Sequence, residues 1–409
     1  MRAMPTPLRR SSAALLAALG AAAALAHEPG ADALPSAPGW RVGGAAALLL
    51  PRADERWPTA AWPGVLTDGS APRDQRGGLR LEHATMDVAG RLNDRLGAHL
   101  ALGWHDRESA HVEAARVVAR QAWGDDDIEL AAGRDTVNLG AVIDGAGHFD
   151  RFSQMPVAKR AVLNGAWVDD GLALAWRREG RDGLRALELG AWRGRSFPGG
   201  PTGPVAPSLH LHAGWGHLDA HLGLARWQPT WRGAAGRTAG QVGHLHGTPD
   251  CRDGLQQKLC FDGRSDVFAG SLQWEPEGGR WTFALAGLGR RERGRVYATS
   301  GDAALRSRIG GLWADAVWRP AARWSLAARL ERLSTSHRLE GAGTVLLARE
   351  GGLEGAAPVT RSTAAVEFEP AIGLRLALEA GLERFAGGAT SHVALRAVWR
   401  QPRWLGGSW

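Results

Sequence analysis

Three residue types are nearly missing from these 409 residues: there are two Cys, one Tyr and only two Lys, Lys159 and Lys258. Two cysteines exclude a multi-disulfide scaffold and a four-cysteine zinc site. The pair Cys251 and Cys260 suits a disulfide closing a short loop in an oxidising compartment, a reading favoured over two thiolate metal ligands. Without lysine, nearly all positive charge is arginine, and no lysine-rich patch marks a nucleic-acid partner. Long apolar runs are also lacking. None reaches the roughly 18–20 residues of a membrane-spanning helix, which excludes a helical membrane protein. A charged content of 22% with aromatics present excludes global disorder. What the chain has in excess is glycine, at 56, and tryptophan, at 19.

Residues 1–26 read as a signal peptide. Arg2, Arg9 and Arg10 form a positive start, residues 13–26 are an Ala/Leu run, and Ala24-Leu25-Ala26 is a small-residue cleavage site before His27. Its removal leaves 46 basic and 42 acidic residues, a balance of +4 in place of +7. Residues 27–40 are rich in Pro, Ala and Gly and read as a flexible periplasmic leader.

Beyond the leader the pattern repeats every two residues. In Leu374-Arg375-Leu376-Ala377-Leu378-Glu379, leucine alternates with Arg, Ala and Glu. Trp324, Leu326, Ala328 and Leu330 share one parity, while Ser325, Arg329 and Glu331 share the other. Successive side chains of a strand point to opposite faces, so such segments are amphipathic strands. Sixteen are expected, near 41–50, 79–92, 95–106, 110–123, 127–135, 168–178, 184–194, 207–215, 217–228, 264–275, 279–291, 307–319, 322–334, 361–369, 372–384 and 389–400. Residues 110–123 are the weakest, since 114–118 would also suit a helix.

The connections sort themselves. Those after even-numbered strands are tight turns. The long ones, near 51–78, 136–167, 195–206, 229–263, 292–306 and 335–360, all follow odd-numbered strands. Short turns on one side and long loops on the other are the asymmetry of an outer-membrane β-barrel with periplasmic turns and extracellular loops. In lipid the sheet must close, because an open edge would expose unpaired backbone groups at several kcal/mol each. The expected fold is therefore all-β: a transmembrane antiparallel barrel of about 16 strands over 41–400. Residues 401–409 are read as a tail, because alternation stops at Arg400 and Pro402 cannot donate to a ladder. Trp176, Trp192, Trp227, Trp274, Trp281, Trp318, Trp324 and Trp399 fall near strand ends, where an interfacial aromatic belt is expected.

Residues 136–167 are too long and too apolar for a loop left in solvent. Folded into the lumen, the segment would bury Phe149, Phe152 and Met155, and would set Asp144, His148, Asp150, Arg151, Lys159 and Arg160 at a constriction. A second candidate is a metal site. His210 and His212 share a strand face, and His217 and His221 follow on the next strand beside Asp219, so these imidazoles would meet in the lumen near the periplasmic mouth. His244 and His246 lie in the long loop before Cys251.

Several motifs resemble one bacterial family. They are Gly133-Arg134-Asp135 through Asp150-Arg151-Phe152, Lys159-Arg160-Ala161-Val162-Leu163, and Asp169-Asp170-Gly171-Leu172-Ala173-Leu174. Further on come Arg195-Ser196-Phe197-Pro198-Gly199-Gly200 and Cys260-Phe261-Asp262-Gly263-Arg264-Ser265-Asp266-Val267-Phe268. The family is one of porin-like outer-membrane proteins of poorly established function, often labelled zinc-regulated or TonB-dependent receptors. The resemblance runs from about residue 79 to the end. It implies a barrel with a signature central loop. That loop departs from the family pattern of a Glu and a His-x-His: here stand Asp144 and Ala146-Gly147-His148, with a single His. A plugged, energy-coupled transporter is not expected: such barrels have about 22 strands and an N-terminal plug, and only about 50 residues precede the second strand here.

No Gly-x-Ser-x-Gly occurs, and Ser336-His337 and Ser391-His392 are adjacent pairs that a strand would point opposite ways, so the chain is not expected to be an enzyme. The expectation is a cell-outer-membrane porin-like channel for diffusion of small polar solutes or ions, in contact with outer-membrane lipid, without cofactor, and open to homo-oligomerisation. Two alternatives are a zinc-binding or metal-uptake barrel and a non-conducting structural or adhesive barrel.

Overall fold

Leucine at every second position leaves a strand with one apolar face and one face free for charge, and the computed structural model turns this pattern into a closed wall. It describes residues 34–408 except 56, 59–64, 67–69, 72–75, 106–109, 179, 181, 235–240, 243–249, 256–258 and 354–357. The signal peptide, the first half of the leader, His244 and His246 lie outside the described residues.

Sixteen antiparallel strands form the wall. They are β1 (Gly39–Ala53), β2 (Arg80–Arg91), β3 (Leu96–Trp104), β4 (His111–Trp123), β5 (Asp126–Thr136), β6 (Val168–Arg178), β7 (Gly183–Trp192) and β8 (Ala206–Trp215). The second half comprises β9 (Leu218–Trp227), β10 (Leu259–Trp274), β11 (Trp281–Ala298), β12 (Gly301–Ala321), β13 (Trp324–Glu340), β14 (Val359–Ala371), β15 (Leu374–Phe385) and β16 (Gly388–Gly407). Each pairs with its neighbour in sequence, and β1 pairs with both β2 and β16, so no edge remains. Among the described residues no helix is long and apolar enough to cross a membrane. Segment 110–123 is a strand, since its pairing with β3 and β5 overrides the local helical tendency.

Sidedness is strict. On β13, burial alternates residue by residue: Leu326 and Leu330 face outward while Arg329 and Glu331 are buried inside. Leu376, Leu378 and Leu395 face outward from β15 and β16, opposite Glu379, Glu383, His392 and Arg396. The outer surface is thus leucine-rich and the lumen wall charged. That inversion of a soluble core is stable only where lipid takes the place of water outside.

Two sequence expectations are corrected. The tail does not exist as such: β16 continues to Gly407, with Trp40 opposite Gly407 and Val42 opposite Leu405. A bulge between Val42 and Gly44 accommodates Pro402, whose carbonyl packs so close to Gly43 that a Cβ there would sit 2.5 Å from it. Second, the expected loop 292–306 is almost entirely strand, since β11 and β12 run on to a turn at residues 299–300. In the 290–295 stretch of β11 neither face carries an apolar side chain, which erases the period-two signal there.

The belt is real at the short-turn end. Trp274, Trp281, Trp318, Trp324 and Trp399 face outward; Trp281 stacks on Trp318 at 5.8 Å and Trp399 on Trp404 at 5.4 Å. Trp192 and Trp227 do not belong to it. They are 3% and 1% exposed and pack inside on Trp167. Parity explains this: Leu189 faces out, so Trp192, three residues on, faces in.

Candidate functional site: an inner loop pinned to a charged wall

The connection 136–167 folds into the barrel. It carries helices α1 (Ala141–Asp144) and α2 (Val157–Leu163). Helix α2 is buried along its whole length and packs on β11, β12 and β13. Val157, Ala158, Ala161 and Val162 join inward residues of the wall, among them Leu288, Ile309, Trp313 and Leu333. Phe149 packs against Ala45, Ala47 and Val398, and Phe152 against Val317, Ala327 and Ala365. Asn164 ends α2 in the left-handed conformation, with φ 59°.

Wall charges hold the loop by its backbone. Arg290 donates to Val162 O at 2.8 Å, Arg361 to Met155 O at 3.1 Å, Arg375 to Phe149 O at 3.0 Å and Arg396 to Asp150 O at 2.6 Å. In the opposite sense, the Ser153 N–H donates to Glu379 at 2.7 Å and the Val157 N–H to Glu331 at 2.6 Å. These carboxylates and guanidiniums also pair along the wall: Arg361 lies 2.5 Å from Glu383 and 3.7 Å from Glu331 on neighbouring strands. Buried charge is tolerable only when paired and hydrogen-bonded in this way.

Four of the six residues expected at a constriction fall into two groups. Asp144 and Lys159 serve the loop itself. Asp144 accepts from Leu139 N at 2.9 Å and Gly140 N at 3.0 Å, and Lys159, 2% exposed, donates to the carbonyls of Asp144 and Ala146 at 3.2 Å each. Asp150 and Arg151 tie the loop to the wall: Asp150 lies 2.8 Å from Arg329, and Arg151 pairs with Glu367. Arg160 is buried on α2. His148 stacks on His83 of β2, ring centroids 4.6 Å apart. Burial alone would push the Asp150 carboxyl up, but Arg329 and the nearby Arg375 outweigh it and hold the group below its ordinary value.

The expected histidine quartet is assembled only in part. His212 and His221 are cross-strand partners on β8 and β9 and stack at 4.3 Å. His210 Nε2 lies 3.0 Å from His221 Nδ1, and His212 Nε2 lies 2.9 Å from Asp219. His217 stands exposed in the β8–β9 turn. The turn takes in residue 217 as well as 216, one residue more than the alternation implied, and that takes His217 off the strand. Among the described residues, metal-ligating side chains converge elsewhere: His83, His105 and His148 form one group of three, and His105, His111 and Glu113 another. Of these, the sequence singles out only His148, and as a constriction residue. A signal existed, since a hairpin folded about Asp94 places position 83 opposite 105. Cys251 and Cys260 are joined in a disulfide, with Cα atoms 6.2 Å apart, beside Tyr297.

No family model matches the chain, and no curated protein does. Solved structures do. A loop-deletion form of OmpT, an outer membrane protein of Vibrio cholerae, matches with a TM-score of 0.58 at 12% identity, over 89% of this chain and all of that one. The outer membrane channel DcaP of Acinetobacter baumannii gives 0.54 at 11%, over 90% and 99%. OmpF of Salmonella typhi gives 0.54 at 10%, over 89% and 98%. The fold is that of a porin-like outer-membrane barrel. These likenesses support that part of the family resemblance and lend none to its zinc-regulated, TonB-dependent label.

Proposed function

We propose that the protein is a porin-like channel of the outer membrane through which small polar solutes or ions diffuse. The observation that carries this reading is the infolded loop, held by its backbone to a lumen wall of paired Arg and Glu while the opposite wall face is leucine. A loop fixed at that depth sets the width of the passage. The polar groups around it set which solutes enter, by partition and not by reaction. The mechanism needs no cofactor and no catalytic group. That the matching structures include one named a channel supports the reading, and one solved in a trimer form supports assembly of copies as part of it.

The deciding experiment is reconstitution of detergent-folded protein into planar bilayers. Discrete conductance steps are expected, with reversal potentials in a salt gradient reporting the sign of selectivity. Folded protein that inserts and never conducts would favour the non-conducting structural or adhesive barrel.

A further inference from the structure

Five side chains converge at the long-loop end of the wall. Four are on or beside wall strands: His83 on β2, His105 just past β3, and His111 and Glu113 on β4. The fifth, His148, comes from the inner loop. The β2–β3 register sets Ala84 opposite Trp104, so His83 and His105 meet one step farther out. Their Nδ1 atoms are 3.2 Å apart. The His148 ring lies 4.6 Å from that of His83 and 4.8 Å from that of His105. One ligand atom from each of His83, His105 and His148 lies within 4.8 Å of the others, and the same holds for His105, His111 and Glu113.

We propose that His83, His105 and His148 bind a divalent transition-metal ion of the zinc class, and that the ion fastens the inner loop to the wall. The donor set selects the ion. Three imidazoles with one carboxylate nearby suit Zn, Cu or Ni, whereas Ca and Mg demand oxygen ligands. The spacing fits as well. Zn–N bonds of about 2.0–2.1 Å put two ligands of a tetrahedron roughly 3.3–3.4 Å apart, and the two Nδ1 atoms already stand at that separation. His83 Nε2 lies 2.8 Å from Glu113 Oε1, so the carboxylate orients the ring and leaves Nδ1 facing His105. A carboxylate behind a ligating histidine is the arrangement that fixes tautomer and raises basicity in metal sites. His105 Nδ1 also lies 3.1 Å from the Glu82 carbonyl. Binding of the ion requires both Nδ1 atoms to be deprotonated, and any proton they carry leaves to solvent. The backbone beside His148 is anchored by Arg396, which donates to the His148 and Asp150 carbonyls, so the imidazole is held near the wall. Three protein ligands leave a fourth position for water or solute, the mark of an exchangeable site.

The test uses full-length protein folded in detergent, with zinc chloride in calorimetry and cobalt(II) in visible absorption. Wild type is expected to bind one zinc at saturation and to give tetrahedral cobalt bands. His105→Gln and His148→Gln should each abolish those bands, and Glu113→Gln should weaken zinc about 10–100-fold, as outer-shell losses do. His210→Gln should leave both readouts unchanged. Folding of each variant is checked by its gel shift on boiling. If His105→Gln fails to fold, His148→Gln decides, because it alters the loop and not the wall. Absence of saturating binding by folded wild type would overturn the proposal, as would bands that persist in His148→Gln. Neither readout involves conduction, so failure here leaves the channel reading standing.

Discussion

Arg329 on β13 donates at once to Asp150 of the inner loop, at 2.8 Å, and to Asp315 of β12, at 2.7 Å. One guanidinium therefore binds the loop to the wall and two wall strands to each other. Replacing it by Met leaves two half-buried carboxylates without their partner. Breaking a buried pair from one side costs about 3–5 kcal/mol. Asp150→Asn keeps the Arg329–Asp315 pair and should cost distinctly less. Urea unfolding midpoints in detergent compare the two; equal shifts would contradict this account of the pairing.

Acid should loosen the loop before it unfolds the wall. The folded Asp150 carboxyl is held below its ordinary value, so its contribution is present above about 3.9, the unfolded value. That contribution is lost as pH falls through the lower folded value. Proteolysis within 144–156 is therefore expected to begin below about pH 4 and to be absent at neutral pH. Asp150→Asn should remove the part of that pH dependence that comes from this carboxyl. Cleavage that is independent of pH would count against it.

Tryptophans of the two environments should separate in lipid. Trp281 and Trp318 face outward, while Trp313 is fully buried among lumen-side residues. Brominated lipid should quench the fluorescence that Trp281→Phe removes and spare the fluorescence that Trp313→Phe removes. Trp313→Ala should also cost about 3–5 kcal/mol as a core cavity. Equal quenching of both positions would contradict the inside–outside assignment.

Much of the wall could be read from the sequence, because lipid outside and charge inside make the period of two explicit. All sixteen expected segments coincide with wall strands. Legibility ended where one of those conditions failed. In the Arg290–Arg295 stretch of β11 both faces are polar, so continued pairing left no trace in the pattern. At Pro402 a bulge on the partner strand, invisible in one segment alone, kept the ladder going. The charged residues of the inner loop could be named from the sequence, but their contacts could not. Whether Lys159 lines a pore or caps its own loop depends on the carbonyls of Asp144 and Ala146, which only the folded loop brings to it. His83 and His105 were missed because they are 22 residues apart and meet only through hairpin register.

Single-channel recording tests the central claim most directly: that this barrel conducts and that its inner loop sets the passage. Wild type is compared with a variant in which residues 141–163 are replaced by a short Gly-Ser linker, both verified as folded barrels. Stepwise conductance is expected from wild type, with larger steps from the variant. Identical steps from the two, or silence from both, would contradict it.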